Sequence, residues 1–156
     1  MSHRRSTGVL VGPVGLLLAV SAFSCMHHHD PLAPRVPADD MQEAKALKPP
    51  FGDARKAPAE IVAEGRRLFQ GKGSCFHCHG VEGKGDGAAA DELFMHPPRD
   101  FTNCTWHDVR TDGELFWVID HGIPGTPMVD HVHDGSLKDI EAWKIVAYLR
   151  TLCEFK

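Results

Sequence analysis

An all-α fold is what this sequence predicts, and three observations carry it. Two long stretches show helical apolar periodicity, a shorter one is closed by a glycine, and no alternating apolar–polar run is long enough for a strand. The first stretch, residues 58–69, places Ile61, Gly65, Leu68 and Phe69 on one face. Pro58 stands near its start, with acidic residues early and basic residues late, as the helix dipole favours. The short stretch runs from about Asp112 to Asp120. Leu115, Phe116 and Ile119 are its apolar residues, and Gly122 is a suitable stop. The last stretch, residues 137–152, carries an apolar stripe of Ile140, Trp143, Ala147 and Tyr148, with Asp139 and Glu141 in its first turns.

The chain has 156 residues, enough for one domain with extensions. Its formal net charge is −4 and it has no Lys/Arg-rich tract, so nucleic acid is not an expected partner. Eleven histidines are many for this length. Three of them, His27, His28 and His29, form a tract of a kind that can hold metal or simply stay solvated.

Residues 1–24 have the layout of an export signal. Arg4 and Arg5 precede an apolar run, Val9 to Ala22, that Gly12, Pro13 and Gly15 interrupt. A spanning helix needs about 20 apolar residues, and this run is too short and too broken. Removal of the segment takes Arg4 and Arg5 with it and leaves a net charge of −6, which favours a basic partner surface. Ala22-Phe23-Ser24-Cys25 resembles a bacterial lipoprotein cleavage box, although Ala stands where Leu is usual. Lipidated Cys25 would anchor the chain to a membrane surface without spanning it; the alternative is cleavage nearby that leaves a free thiol. Residues 25–58 hold six prolines and few large apolar side chains, so the expectation is a partly extended tether. The folded domain is then expected over residues 59–156.

Cys75-Phe76-His77-Cys78-His79 is the most specific feature of the sequence. Cys-x-x-Cys-His is a haem attachment pattern: the two thiols reach the vinyl groups on one porphyrin edge, and the adjacent imidazole reaches the iron. A zinc site would need two more ligands, commonly a second Cys pair, and Cys104 and Cys153 lack that spacing. A thioredoxin-like pair would follow a strand, and none precedes Cys75. The expected cofactor is one covalent haem c. Met128 is the leading candidate for the sixth iron ligand, in the Gly/Pro-rich run Gly122-Ile123-Pro124-Gly125-Thr126-Pro127-Met128. Met95, His121, His131 and His133 are its rivals. Gly83, Gly85 and Gly87 have neither a strand before them nor a helix after, which points to a turn-rich loop along the haem edge rather than a nucleotide loop. Arg99 and Trp117 are candidate donors to the haem propionates.

From about residue 59 to 153 the chain resembles the class I, monohaem bacterial cytochromes c. The matching residues are Cys75 to Gly80, Gly83-Lys84-Gly85-Asp86-Gly87, Pro97-Pro98-Arg99-Asp100-Phe101-Thr102, Gly125-Thr126-Pro127-Met128 and Glu141 to Arg150. Val129 departs from the family, which often has Pro after the ligand Met. The resemblance implies helices wrapped around one haem. It also implies a close crossing of the first and last helices, permitted by Gly65, with Phe69 meeting Tyr148. The carbonyl of Pro97 or Pro98, with Pro98 preferred, would accept the hydrogen bond of the axial His79.

Cys104 and Cys153 remain. A disulfide between them suits an oxidising compartment, and two buried free thiols are the alternative. The functional expectation is one-electron transfer in the periplasm between respiratory redox partners, with no catalytic residues and no small-molecule substrate. A dedicated cytochrome subunit of a larger membrane oxidoreductase is the second reading. A sensor or enzyme with open iron is the third, and it requires that Met128 not bind.

Overall fold

The computed structural model of the protein describes residues 30–93 and 97–153. Cys25, the His27–His29 tract, Met95 and the N-terminal 24 residues lie outside them. Among the described residues there are helices and no strands. In chain order they are α1 (Met41–Ala46), α2 (Ala59–Gln70), α3 (Phe76–His79), α4 (Cys104–Val109), α5 (Asp112–His121) and α6 (Asp139–Thr151), with short 3₁₀ turns at Ala54–Lys56 and Ala90–Leu93. None is long and apolar enough to cross a membrane.

Helices α2 and α6 form the main packing pair. Gly65 makes their crossing possible: a Cβ there would collide with the Lys144 carbonyl oxygen. Phe69 meets Tyr148 edge-on at 5.4 Å between ring centroids. Helix α5 packs on α6, with Phe116 stacked on Trp143 at 4.1 Å. The start of α5 is fixed by a capping box, in which Glu114 N–H donates to Thr111 Oγ1 and Thr111 N–H donates to the Glu114 carboxylate. One residue of the expected α6 stripe faces elsewhere. Ile140 is 40% exposed, whereas Ile145, Val146 and Leu149 are buried. Ile140 lies in the first turn, before α6 passes under α2.

The expected tether is, over residues 36–57, part of the folded body. Val36 and Ala44 are buried against Trp117, and Ala54 joins the main core. Small residues allow the close approach, and Met41, Leu47 and Phe51 add partly buried apolar contacts. Helix α1 comes so close to α5 that a Cβ on Gly113 would strike the Ala44 carbonyl oxygen. A composition poor in large apolar residues excludes independent folding, but it does not exclude packing on an existing helix.

A buried polar knot joins α4, α5 and α6. Arg150 Nε donates to Asp112 Oδ1 at 2.7 Å, and its other nitrogens donate to the carbonyls of His107 (2.9 Å) and Arg110 (2.7 Å). The fully buried His107 donates from Nε2 to the Phe101 carbonyl at 2.6 Å, which leaves Nδ1 to accept from Arg150 at 3.2 Å. Burial, offset in part by the Phe101 hydrogen bond, pushes the His107 pKa down to about 4. Between about pH 6.5 and pH 4 the unfolded chain therefore takes up a proton here that the folded chain refuses. Stability should fall as the pH drops through this window, by on the order of 2 kcal/mol from this residue. His107→Gln keeps a donor and an acceptor but does not titrate. Urea unfolding at pH 7 and pH 4.5 should show a smaller acid loss in that variant than in wild type, and equal losses would refute the assignment.

Cys104 and Cys153 are joined by a disulfide with a Cα–Cα distance of 5.1 Å. It links the first residue of α4 to the chain just past α6, a separation of 49 residues. Closing a loop of that length in the unfolded chain gives a stabilisation of about 4 kcal/mol by chain entropy. The double variant Cys104→Ala/Cys153→Ala should lose an amount of that order in denaturant unfolding. Unchanged stability would show that the bond constrains nothing.

Candidate functional site

The site begins where α2 ends. Ser74, in the left-handed region at φ 50, turns the chain into Cys75 and the short α3. The Gly83–Gly87 loop then folds back over α3: Gly85 N–H donates to the His79 carbonyl at 2.9 Å and Gly87 N–H to that of Cys78 at 3.1 Å. Phe101 N–H donates to the Gly83 carbonyl at 2.7 Å, which ties the segment after Pro98 to the same loop.

These ties orient His79. Its Nδ1 lies 3.0 Å from the Arg99 carbonyl oxygen, and its ring stacks on Phe101 at 4.5 Å. Pro98 was the expected acceptor, and the structure moves the role one residue on. The Pro98 carbonyl is turned toward Gly85, where a Cβ would stand 2.8 Å from its oxygen. Burial lowers the His79 pKa to about 4, against the opposing effect of the Arg99 hydrogen bond. The imidazole is thus neutral near pH 7, with Nδ1–H donated to the backbone and the Nε2 lone pair left for a metal. Burial likewise pushes the Cys75 thiol up to about 12, so it is no ready thiolate for redox exchange.

Cys75, Cys78, His79 and Met128 line one largely apolar cavity, with Pro98 and Arg99 at its wall. Met128 is held there by its loop: Ile123 N–H donates to the Met128 carbonyl at 2.9 Å, and Met128 N–H donates to Thr126 Oγ1 at 3.2 Å. Of the rival ligands, His131 also lines the cavity, whereas His121 and His133 do not. Trp117 is off the lining as well; it packs with Val36 and Ala44.

Sequence reasoning missed the positive character of one wall. Arg35 and Arg110 join Arg99 along the cavity. The Arg99 guanidinium donates to the carbonyls of Pro31 and Ala33 and lies 5.4 Å from the centre of the Trp106 ring. Burial first, then the charges of Arg35 and Arg110, lower its pKa to about 10. Arg110 Nε is buried without a hydrogen-bond partner. An apolar slot with a cationic wall and an orphaned donor fits haem, a flat apolar ring with two propionates on one edge. The signal in the sequence was Arg99-Asp100 and Arg110 themselves, but nothing there placed Arg35 beside them.

The sequence matches the cytochrome c family model over residues 62–153. The chain belongs to the cytochrome c family. Membership implies a covalently bound haem c and electron transfer with redox partner proteins. The same region holds the single attachment motif and, except for the first three residues of α2, the α2–α6 frame. No curated protein matches this cytochrome. Among solved structures it is similar to a chain titled Kuenenia stuttgartiensis reducing HAO-like protein complex Kustc0457/Kustc0458, with 29% identity and a TM-score of 0.54. The match covers 69% of this chain and 47% of that one, so this cytochrome spans about half the length of its neighbour.

Proposed function

We propose that the protein moves one electron at a time on a single haem c in the periplasm. Thioethers from Cys75 and Cys78 hold the ring, and His79 and Met128 ligate the iron. The observation that carries this is the meeting of those four side chains in one apolar cavity, with Nδ1 of His79 already committed to the Arg99 carbonyl. Haem supplies the one-electron couple. The chain supplies the axial ligands, a dry surrounding that sets the potential, and the arginines that face its acidic edge. If His79 and Met128 both held the iron, no position on it would be left for a substrate. Lipidation of Cys25 would hold the domain at a membrane surface.

Expression with a haem-attachment system tests the reading directly. The expected product carries one haem per chain and shows a low-spin spectrum with the charge-transfer band of Met–iron bonding in the oxidised state. A high-spin spectrum that changes on adding carbon monoxide or cyanide at low concentration would favour open iron instead.

A second reading, a dedicated subunit of a larger oxidoreductase, is favoured by the likeness to a chain from the HAO-like complex. Affinity purification from the native membrane separates the two. A stable complex of fixed stoichiometry supports the subunit, and recovery of the cytochrome alone supports the carrier.

A further inference from the structure

Outside the haem cavity, the C-terminal end of α5 collects three metal-ligating side chains that electron transfer leaves unused. Asp120 and His121 are the last two residues of α5, and His133 returns to them from beyond the Met128 loop. His133 Nδ1 lies 3.0 Å from Asp120 Oδ1, and His121 Nδ1 lies 3.4 Å from Asp120 Oδ2. One ligand atom from each residue falls within 4.8 Å of those from the other two. Zinc binds nitrogen and oxygen at about 2.0–2.2 Å, so neighbouring ligands of a tetrahedral site stand roughly 3.3 Å apart. The 3.0 and 3.4 Å approaches are to different carboxylate oxygens, and both Nδ1 atoms also face backbone carbonyls, that of Asp120 at 3.1 Å for His133 and that of Trp117 at 3.3 Å for His121. An ion would therefore draw the three ligand atoms, now within 4.8 Å of one another, closer by up to about 1.5 Å.

The frame that holds them is well fixed. His131 N–H donates to the Ile119 carbonyl at 2.9 Å, and Gly122 N–H donates to that of Val118 at 2.9 Å, so both ends of the loop are pinned to α5. His121 stacks flat on Trp117 at 4.3 Å with planes 3° apart, which sets its ring orientation. The negative end of the α5 dipole and the nearby Asp130 add to the attraction for a cation.

We propose that Asp120, His121 and His133 form a binding site for a divalent transition metal of the zinc–copper class. Two imidazoles and one carboxylate suit Zn²⁺, Cu²⁺ or Ni²⁺, and not Ca²⁺ or Mg²⁺, which prefer oxygen alone. Three protein ligands leave a position for water, so this is an open, exchangeable site. Asp120 and His121 precede the Met128 loop and His133 follows it, so a bound ion would tie the two ends of that loop together. The proposal does not rest on the electron-transfer reading.

The test is calorimetric titration of Zn²⁺ into the haem-loaded full chain carrying His27→Ala, His28→Ala and His29→Ala, which silences the N-terminal tract. One saturable site is expected. Loss of an outer-shell partner alone weakens metal sites by about tenfold or more, so His121→Ala and His133→Ala should each weaken binding at least that much. The Cu²⁺ form should show nitrogen hyperfine couplings by electron paramagnetic resonance, reduced in either variant. If His121→Ala unfolds through loss of the Trp117 stack, the more exposed His133 still reports through its own variant. Absence of saturable binding at millimolar Zn²⁺, unchanged affinity in His133→Ala, or a Cu²⁺ signal with oxygen ligands only would overturn the proposal and leave Asp120 as a plain ion-pair partner of the two histidines.

Discussion

Met128→Ala should lower the haem midpoint potential and abolish the Met–iron charge-transfer band while leaving the haem covalently attached. A thioether favours the reduced iron, and axial ligands move haem potentials over a range of about 0.8 V. The direction of the shift follows from which ligand replaces the thioether. His131 also lines the cavity, its Nδ1 3.3 Å from Ser136 Oγ and its backbone N–H fixed on the Ile119 carbonyl. Were it to take the position that Met128 would leave, an imidazole there would favour the oxidised iron. The variant should therefore stay low-spin with a potential lower by on the order of a hundred millivolts or more. The double variant Met128→Ala/His131→Ala should become high-spin and bind small ligands such as carbon monoxide. An unchanged spectrum and potential in Met128→Ala would refute methionine ligation, and that is read from a visible spectrum and a redox titration.

Arg150→Ala should destabilise the folded protein by about 3–5 kcal/mol, the usual result of removing one side of a buried ion pair. The loss has identifiable parts. Asp112 keeps the Ala54 N–H at 3.1 Å and a place in the first turn of α5, so its charge is not wholly abandoned. The His107 Nδ1 and the Arg110 carbonyl lose the donors that Arg150 supplies, and the His107 carbonyl retains only Arg55, at 2.6 Å. An unsatisfied buried acceptor costs about 1–3 kcal/mol. Arg150→Lys should recover only part of the loss, because a single ammonium cannot reach all the acceptors that the planar guanidinium serves. Denaturant unfolding followed by circular dichroism gives both numbers, and a loss below about 1 kcal/mol in Arg150→Ala would show that the knot is not a stabilising element.

The parts of the fold visible in the sequence are those long enough to repeat. Helices α2, α5 and α6 run for 12, 10 and 13 residues, so their apolar spacing is sampled over several turns. Helices α1 and α4 have six residues each, too few for a period to stand out. Their existence depends on partners: Gly113 admits α1 to the α5 surface, and the knot around Arg150 holds α4. Arg150 itself sits at the end of an apolar helix where a cation ordinarily serves the dipole, so its burial could not be inferred from position. At the haem site the motif names Cys75, Cys78 and His79 outright. The acceptor for His79 depends on how the Gly83–Gly87 loop turns the Pro98 carbonyl aside, and that is a matter of tertiary geometry.

With Cys25 lipidated as proposed, the packing of residues 36–57 onto α5 and α6 would also limit how far the domain could travel. Thirty-three free residues between Cys25 and α2 would permit a radius of about 110 Å at full extension. Arg99 holds the carbonyl of Pro31, six residues from Cys25, so the anchor would lie within about 20 Å of that tie. A domain leashed that tightly would sweep only the layer next to its anchoring surface, and its electron donors and acceptors would have to stand in that layer.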